Sequence, residues 1–532
     1  MIASEEQLPD DVEALKKLLL AERAVTQQTQ QKLLAYRKEN AALHDQLRLA
    51  RAKLFGKSSE KFEDILQARL FDEIESEAAK GPDLFADDID CIHINEHSRK
   101  KRGRKQLPPY LPRVDIVHDI SDAEKQCDCG VELKRIGEEV AEKLEIIPAD
   151  IFVERHIRPK YACPACRGED SEDQPVKIAP VPPQILEKSI AGPGLLAYLV
   201  TSKFCDALPL YRQEGIMRRL DIDLSRQTMS GWLMQLQSQL EPLRGLLLQE
   251  LNDYPLIAID ETTLQVMREP DRKNTSKSYM WLLRGGPPDN PRIIYLYRKT
   301  RSADFLATIL QDYTGAVLTD GYAGYDKIFS GMPGITHAAC WDHARRKFVD
   351  LIKSAPNSPG GNHVLGLMRK LYRIEKKVRA DDLTSEETLA LRKEKSRPVL
   401  DELHTFLIEA SKATPPRSLY GQAISYAMSQ WSKLNKFLTD GRIPFSNILV
   451  ENDIRPFVIG RKNWLFSGSP QGAHASAILY TLAANAKASG IEPFSYFRTL
   501  FSELPNAGDD EKKRRLLPQY IDRSKIKTLQ RN

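Results

Sequence analysis

Three carboxylates stand where their surroundings do not account for them. In "IAIDETTLQVM" (Ile257 to Met267) an apolar run reads as a buried strand and ends on a bare acid, Asp260. An aspartate usually caps a helix or sits in a turn. In "VLTDGYAGY" a second apolar run, Ala316 to Thr319, delivers Asp320 in the same way. Parallel neighbours would bring both acids to one sheet edge, where like charges repel and joint ionisation needs a cation between them. Oxygen donors with open coordination positions suit Mg2+ or Mn2+. A third acid comes from "PFSNILVENDIRPFVIGRKNWLF". Asn447 opens a helix there, Glu451 lies one turn in, and Arg455 follows four residues later on the same face. Asp453 is the rival acid, and a plain surface ion pair with Arg455 is the bland alternative for Glu451. Two metal ions held by three carboxylates clamp the attacking and leaving oxygens of a phosphodiester. In "RKNW", Arg461 and Lys462 suit phosphate and Trp464 suits a stacked base; a solvated turn with a core tryptophan is the other reading.

The elements that must position these acids follow from pattern. Leu256 to Ile259, Thr263 to Met267, Tyr279 to Leu283 and Ile293 to Tyr297 read as strands, Ala303 to Leu310 as a helix, and Ala316 to Thr319 as a strand. Strands in series, a helix, then a parallel strand is the order of a ribonuclease H-like core. Residues 251–350 form its first part and 441–504 its second. Between them, 351–440 reads as an α-helical insertion, with Ala423, Ala427, Met428, Trp431 and Leu434 at helical spacing. His337, Cys340 and His343 cross a strand-to-helix junction, which disfavours a common metal. His343, Arg345 and Arg346 are expected beside the acidic centre, steadying phosphate or leaving group.

Upstream, residues 1–58 read as a coiled-coil helix, with Leu8, Val12, Leu15, Leu19, Leu33, Tyr36, Asn40, Leu43, Leu47 and Leu54 on one heptad seam. Glu22, Thr26 and Thr29 interrupt it, and a helix folded back on its own chain is the alternative. Residues 59–112 form an acidic, then basic, linker. Its "RKKRGRKQLPPYLPR" places Arg102, Arg104 and Lys105 where a narrow minor groove would attract them. In 113–185, Cys127 and Cys129 in "CDCG" pair with Cys163 and Cys166 in "CPAC", a tetrahedral thiolate set for one structural Zn2+; four ordinary buried cysteines are the alternative. Ile151, Val153 and Ile157 alternate like a strand between the pairs. Residues 186–250 read as a helix-turn-helix, in which Ser225 caps the last helix and Arg226, Gln227 and Thr228 occupy its first turn, where base edges are read. Residues 505–532 read as a basic C-terminal tail.

The net charge of +5 over 532 residues does not by itself demand nucleic acid. The first residues lack the apolar core of a signal peptide, no run approaches a membrane span, and seven cysteines suit a reducing compartment. The expected location is cytoplasmic, with nucleoid association when DNA is bound.

Together "AKLFGKSSEKF", "LPRVDIVHDI", "CDCG…CPAC", "KFCDALPLYRQE", "IDET", "TDGYAGYD", "CWDHARRKF" and "GRKNWLFSG" resemble the large DDE transposase of the insertion sequence 66 family, over essentially the full chain. The resemblance implies a coiled coil, a zinc module, a helix-turn-helix and a ribonuclease H-like catalytic domain whose triad falls on Asp260, Asp320 and Glu451. The family often carries Asp-Asn-Asn before the glutamate and arginine after it; this chain reads Ser446, Asn447, Ile448 and Asn452 there. The expected activity is metal-dependent cleavage at element ends and transfer of the 3′-hydroxyl into target DNA. The expected partners are terminal inverted repeats, target DNA, a second copy of the chain and companion proteins of the same element. A non-catalytic DNA-binding regulator and a nuclease without strand transfer are the competing classes.

Overall fold

The computed structural model describes residues 11–55, 151–161 and 177–526. The chain divides into two compact units, residues 1–58 with 182–532, and residues 59–181. In the second unit the described residues hold one antiparallel pair, β1 (Lys160–Tyr161) with β2 (Lys177–Ile178). Ile151, Val153 and Ile157 are exposed and not in a strand, so their alternation does not build the sheet it suggested. The four cysteines Cys127, Cys129, Cys163 and Cys166, and Arg102, Arg104 and Lys105, lie outside the described residues.

The first unit begins with a single helix, α1 (Val12–Phe55). Its seam residues Val12, Leu15, Leu19, Leu33, Tyr36, Leu43 and Leu47 are exposed. Three helices follow: α2 (Pro193–Phe204), α3 (Leu210–Arg218) and α4 (Arg226–Leu251). The Ser225 cap starts α4 as the sequence indicated, the Thr228 amide donating to Ser225 Oγ at 3.2 Å, and Pro193 occupies the first turn of α2. The last of these, α4, is long, with Pro242 inside it. It continues through Pro242 because Leu243, Leu246, Leu247 and Leu251 are all buried.

The central sheet comprises β3 (Leu256–Gln265), β4 (Lys277–Gly285), β5 (Arg292–Arg298), β6 (Gly315–Thr319) and β7 (Ile335–Ala339), in the order β5-β4-β3-β6-β7. β4 is antiparallel to β3 and β5, whereas β6 runs parallel to β3 and β7. Two short helices, α5 (Phe305–Ile309) and α6 (Ala323–Phe329), flank β6 in sequence. After β7 come α7 (Trp341–Ser354) and the helical insertion: α8 (Pro359–Ala380), α9 (Ser385–Leu391), a π-helical stretch (Arg392–Ser396), α10 (Arg397–Ala413), α11 (Leu419–Ser429) and α12 (Trp431–Leu434). The chain then returns to the sheet with α13 (Ile448–Trp464), which lies over β3 and β4, and α14 (Pro470–Ala488), which packs on β5 and α4.

Two boundaries differ from the sequence reading. The helix-turn-helix is no separate domain, since α2 packs against α15 (Pro493–Glu503) and α4 against α14 and β5. The final stretch is no solvated tail through Ile526. After α16 (Asp510–Arg514), Leu516, Leu517, Ile521 and Ile526 are buried, and Tyr520 Oη accepts from Arg292 Nη2 at 2.9 Å. Basic residues sit between these apolar anchors, so charge counting hides the docking.

The insertion has its own polar hinge. Arg392, buried, donates Nε and Nη2 to the two Glu375 carboxylate oxygens at 2.8 and 2.7 Å, and Nη1 to the carbonyls of Phe437, Gly441 and Ile443. Its fork ties α8 to the segment that leads into α13.

Candidate active site

β3 is one continuous strand, so Asp260 is not at its end as the pattern suggested. It stays paired to Leu282 of β4. What ends is the other neighbour: β3 pairs with β6 only over Leu256, Ala258 and the residue between them. The polar run Asp260–Thr262 broke the apolar pattern, yet β4 still supplies its backbone partners. Asp320 follows directly on β6, two residues beyond Leu318, the last β6 residue paired with β3.

Register decides which face each acid takes. Asp260, Leu282 and Tyr295 stand in one row across β3, β4 and β5, and Glu261, Trp281 and Leu296 in the next. Residues directly opposite share a face. Tyr295 packs on Phe457 of α13 and Tyr480 of α14, so Asp260 faces α13. Trp281 packs edge-on against Phe305 and Tyr325, so Glu261 faces α5 and α6.

Glu451 comes down on Asp260 from α13. Asn447 caps that helix with its backbone, its amide donating to Cys340 Sγ at 3.2 Å and its Nδ2 to the Ile259 carbonyl at 3.4 Å. This pins the start of α13 beside the strand that carries Asp260. Glu451 then lies in the first turn. Burial, then the charges of Glu261 and Glu451, then that of Asp320, push the Asp260 carboxyl well above the usual range, against one amide bond from Glu261. Glu451 is also raised, by burial first; Arg346 and Arg455 oppose the shift, and Asp342 and Asp320 add to it. Each acid of the trio thus acts on Asp260, and Asp320 on Glu451.

The donor set fits a divalent cation. It is all oxygen, largely buried and mutually repelling, and Glu451 Oε1 is buried without a hydrogen-bond partner. Among the described residues, no three His, Cys, Asp or Glu side chains converge tightly enough to enclose an ion as they stand. Two arginines and one histidine, whose charged form burial disfavours, lie nearby. Arg346 Nη2 lies 3.7 Å from Glu451 Oε2, His343 Nε2 lies 3.8 Å from Oε1, and Arg301 Nη2 lies 3.5 Å from Asp320 Oδ2.

Several site residues went unread in the sequence. Glu261, almost fully buried, accepts from Arg301 Nε at 2.6 Å and from the Tyr325 hydroxyl. Arg301 stacks over Tyr322 at 3.8 Å and so joins Glu261 to Asp320. Asp342, in the first turn of α7, accepts from the hydroxyls of Tyr372 and Ser446. The "DE" step in "IDET" held the signal for Glu261, since neighbours in a strand take opposite faces. Gly321 follows Asp320 because a Cβ there would strike the Tyr426 ring of α11, so the insertion leans on the aspartate loop.

The remaining expected residues divide. Arg226, Gln227 and Thr228 are exposed on the first turn of α4, although the Thr228 hydroxyl lies 3.0 Å from Ser225 Oγ within the cap. Arg345 lies over the Tyr372 ring at 5.4 Å. Arg461 turns inward. Its Nη1 donates to Thr262 Oγ1 at 2.9 Å and to the Thr263 carbonyl, fastening α13 to β3. Lys462 is exposed. Trp464 packs on Phe457 and under Lys203, which favours the packing reading of that tryptophan. The rival acid Asp453 is paired with Arg284 of β4 at 3.3 Å. His337 bonds Thr319 at 2.8 Å, Cys340 accepts from Asn447 and His343 turns to Glu451, so those three do not share a site.

The described residues combine a five-stranded mixed sheet with a helix-turn-helix-like triplet and a later helix that carries Glu451, an arrangement that a DDE transposase domain fits. Family comparison agrees. Residues 188–475 match the family model described as "Transposase IS66 family", 124–167 match "zinc-finger binding domain of transposase IS66", and 42–116 match "Transposase C of IS166 homeodomain". The first match contains all three acids, the second all four cysteines, and the third the basic segment with Arg102, Arg104 and Lys105. Among relatives in Sinorhizobium fredii (strain NBRC 101917 / NGR234), the uncharacterized protein y4jD is 32% identical, covering 75% of this chain and 78% of its own length. The uncharacterized protein y4qI is 30% identical, covering 95% and 96%. The chain belongs to the IS66 transposase family. Among the described residues, no helix is long and apolar enough to cross a membrane.

Proposed function

We propose that this transposase cuts and joins DNA by metal-dependent phosphoryl transfer at Asp260, Asp320 and Glu451. The sheet order, with antiparallel β5-β4-β3 continued by parallel β6 and β7, supports a ribonuclease H-like core. The observation that supports the reading is that the charges of Glu451 and Asp320, from distant segments, both act on the largely buried Asp260 near where β3 and β6 part. Asp260, Asp320 and Glu451 would hold the Mg2+ or Mn2+. When bound, such ions polarise the phosphate and lower the pKa of the attacking oxygen.

The chain's own groups do the rest. Water attacks the phosphodiester at the element end; the P–O bond breaks and releases a 3′-hydroxyl. That hydroxyl attacks a target phosphodiester, so one P–O bond forms as another breaks. Arg346 and His343, beside Glu451, steady the phosphate and the leaving oxygen. Arg455 holds the Glu451 side of α13. Arg226, Gln227 and Thr228 read base edges, joined by Arg345 and Lys462 on phosphate and by Arg102, Arg104 and Lys105 in a minor groove. Cys127, Cys129, Cys163 and Cys166 hold one structural Zn2+. The α1 seam pairs two protomers, and companion proteins of the same element complete the assembly.

The test is cleavage and joining of a duplex carrying the element's terminal inverted repeat, with Mg2+ or Mn2+. Wild-type protein is expected to nick at the repeat end and join it to a second duplex. Asp260→Ala should lower the rate by at least roughly 10²–10³, the scale of removing one group that stabilises transition-state charge. Equal activity in the variant removes the assignment.

A further inference from the structure

The end of α13 carries a feature that packing does not explain. Leu465 has φ +66° and ψ −50°, and the Phe466 amide donates to the Trp464 carbonyl at 2.8 Å. This is a γ-turn of the strained, positive-φ form, which a leucine adopts at a cost. Such strain persists where the surroundings enforce it, often at ligand clamps. Here the enforcement is visible. The Leu465 amide bonds the Arg461 carbonyl at 2.7 Å, and Ser467 is zipped to the extension of β3, its amide donating to Gln265 and its carbonyl accepting from Met267. Arg268 Nε adds a bond to the Gly468 carbonyl at 2.9 Å.

The strain does not serve burial. Leu465 is 65% exposed and Phe466 46% exposed. Cations surround them. Lys462, just before the turn, and Arg268, bonded to Gly468 just after it, are exposed. Lys203 lies 5.5 Å from the Trp464 ring, and burial alone, with no carboxylate against it among the described residues, lowers it to about 8. Two exposed apolar side chains within a basic collar match a nucleic acid, which offers phosphates outside and base faces inside.

Position strengthens the match. Five strand residues separate Asp260 from Gln265, about 17 Å at the rise of a strand. Along α13, Glu451 and Trp464 are about 20 Å apart at 1.5 Å per residue. Both rulers start in the acidic centre and end at this turn, a distance of roughly five nucleotides along one strand.

We propose that Leu465 and Phe466 form a rigid wedge that enters the base stack of duplex DNA about five nucleotides from the phosphate held at Asp260, with Lys462 and Arg268 on the flanking phosphates and the largely buried Lys203 supporting Trp464 beneath the turn. This rests on the DNA-cleaving reading, and locates where along the DNA the helix is opened.

The probe is a terminal-repeat duplex with 2-aminopurine placed in turn at each of the first positions from the cleavage point; its fluorescence rises when a base unstacks. Wild-type protein is expected to brighten the probe severalfold at about the fifth position and to leave neighbours dark. Leu465→Gly keeps the turn, since glycine accepts positive φ, and removes the side chain. It should hold or raise the thermal midpoint yet lose the signal, as should Phe466→Ala, with end cleavage falling roughly tenfold, the scale of one lost stacking contact. Brightening without cleavage keeps the wedge and removes the catalytic reading. Cleavage with the probe dark throughout, or unchanged brightening in both variants, overturns the wedge. A change of oligomeric state in both variants overturns it too, by assigning the turn to a protein contact.

Discussion

Asp260 bears opposite demands from folding and chemistry. Its carboxylate is held against burial and like charge, a state that favours the proton. Replacing it with Asn removes the charge and keeps the shape. Asp260→Asn is therefore expected to raise the thermal midpoint of the metal-free protein while abolishing cleavage, and scanning calorimetry with and without Mg2+ checks both. An unchanged or lowered midpoint would contradict the electrostatic account. Glu261 and Glu451 are raised as well, and Asp453 is raised to about 6 despite Arg284. These folded-state values lie above the unfolded ones, so between them the native chain binds more protons. The contribution is fully present below the unfolded range and is lost as pH climbs through the folded values. Metal-free protein should thus lose stability from about pH 4 to above pH 6, and urea midpoints across that window measure it. Added Mg2+ or Mn2+ should restore the loss due to the acidic centre but not the part due to Asp453.

At the scale of elements, the insertion contacts the Asp320 loop and the segment that leads into α13. Tyr426 of α11 limits the Asp320 loop at Gly321, and Arg392 fixes the route into α13. Arg392→Ala leaves Glu375 charged and buried and three carbonyls without their donor. The expected loss is about 3–5 kcal/mol, read by denaturant unfolding, with Glu451 losing its placement as α13 loosens. Elements with one strong signal were legible from sequence: Ser225 before α4, and the apolar runs of β4, β5 and β6. The single strand β3 was not. Its polar centre looks like a loop until β4 is there to pair it. The docked C-terminus was hidden because Leu516, Leu517, Ile521 and Ile526 are scattered among charges, and partners distant in sequence, such as Arg292 and Asn485, decide its burial. The three acids were legible because each sits beside an apolar run; Arg301 was not, because only the fold brings it to Glu261 and Asp320.

The molecule as a whole sets a largely buried group of acids in the fold of a transposase family that acts on DNA, and the proposed pairing of copies rests on α1. The exposed seam of α1 is the surface that would pair protomers, although α1 also passes alongside α7 and α11 of its own chain. Leu33→Glu combined with Leu43→Glu places charge on that seam without disturbing a core. Light scattering is expected to show the wild type as at least a dimer and the double variant as a single chain. A wild-type protein already of single-chain mass would assign α1 to its own fold.

The central claim is that Asp260, Asp320 and Glu451 jointly hold the reactive cations. Counting Mn2+ bound per protomer by electron paramagnetic resonance, with the terminal-repeat duplex in place, tests it most directly. Two ions are expected in the wild type and fewer in each of Asp260→Asn, Asp320→Asn and Glu451→Gln. The same two ions retained by all three variants would contradict it.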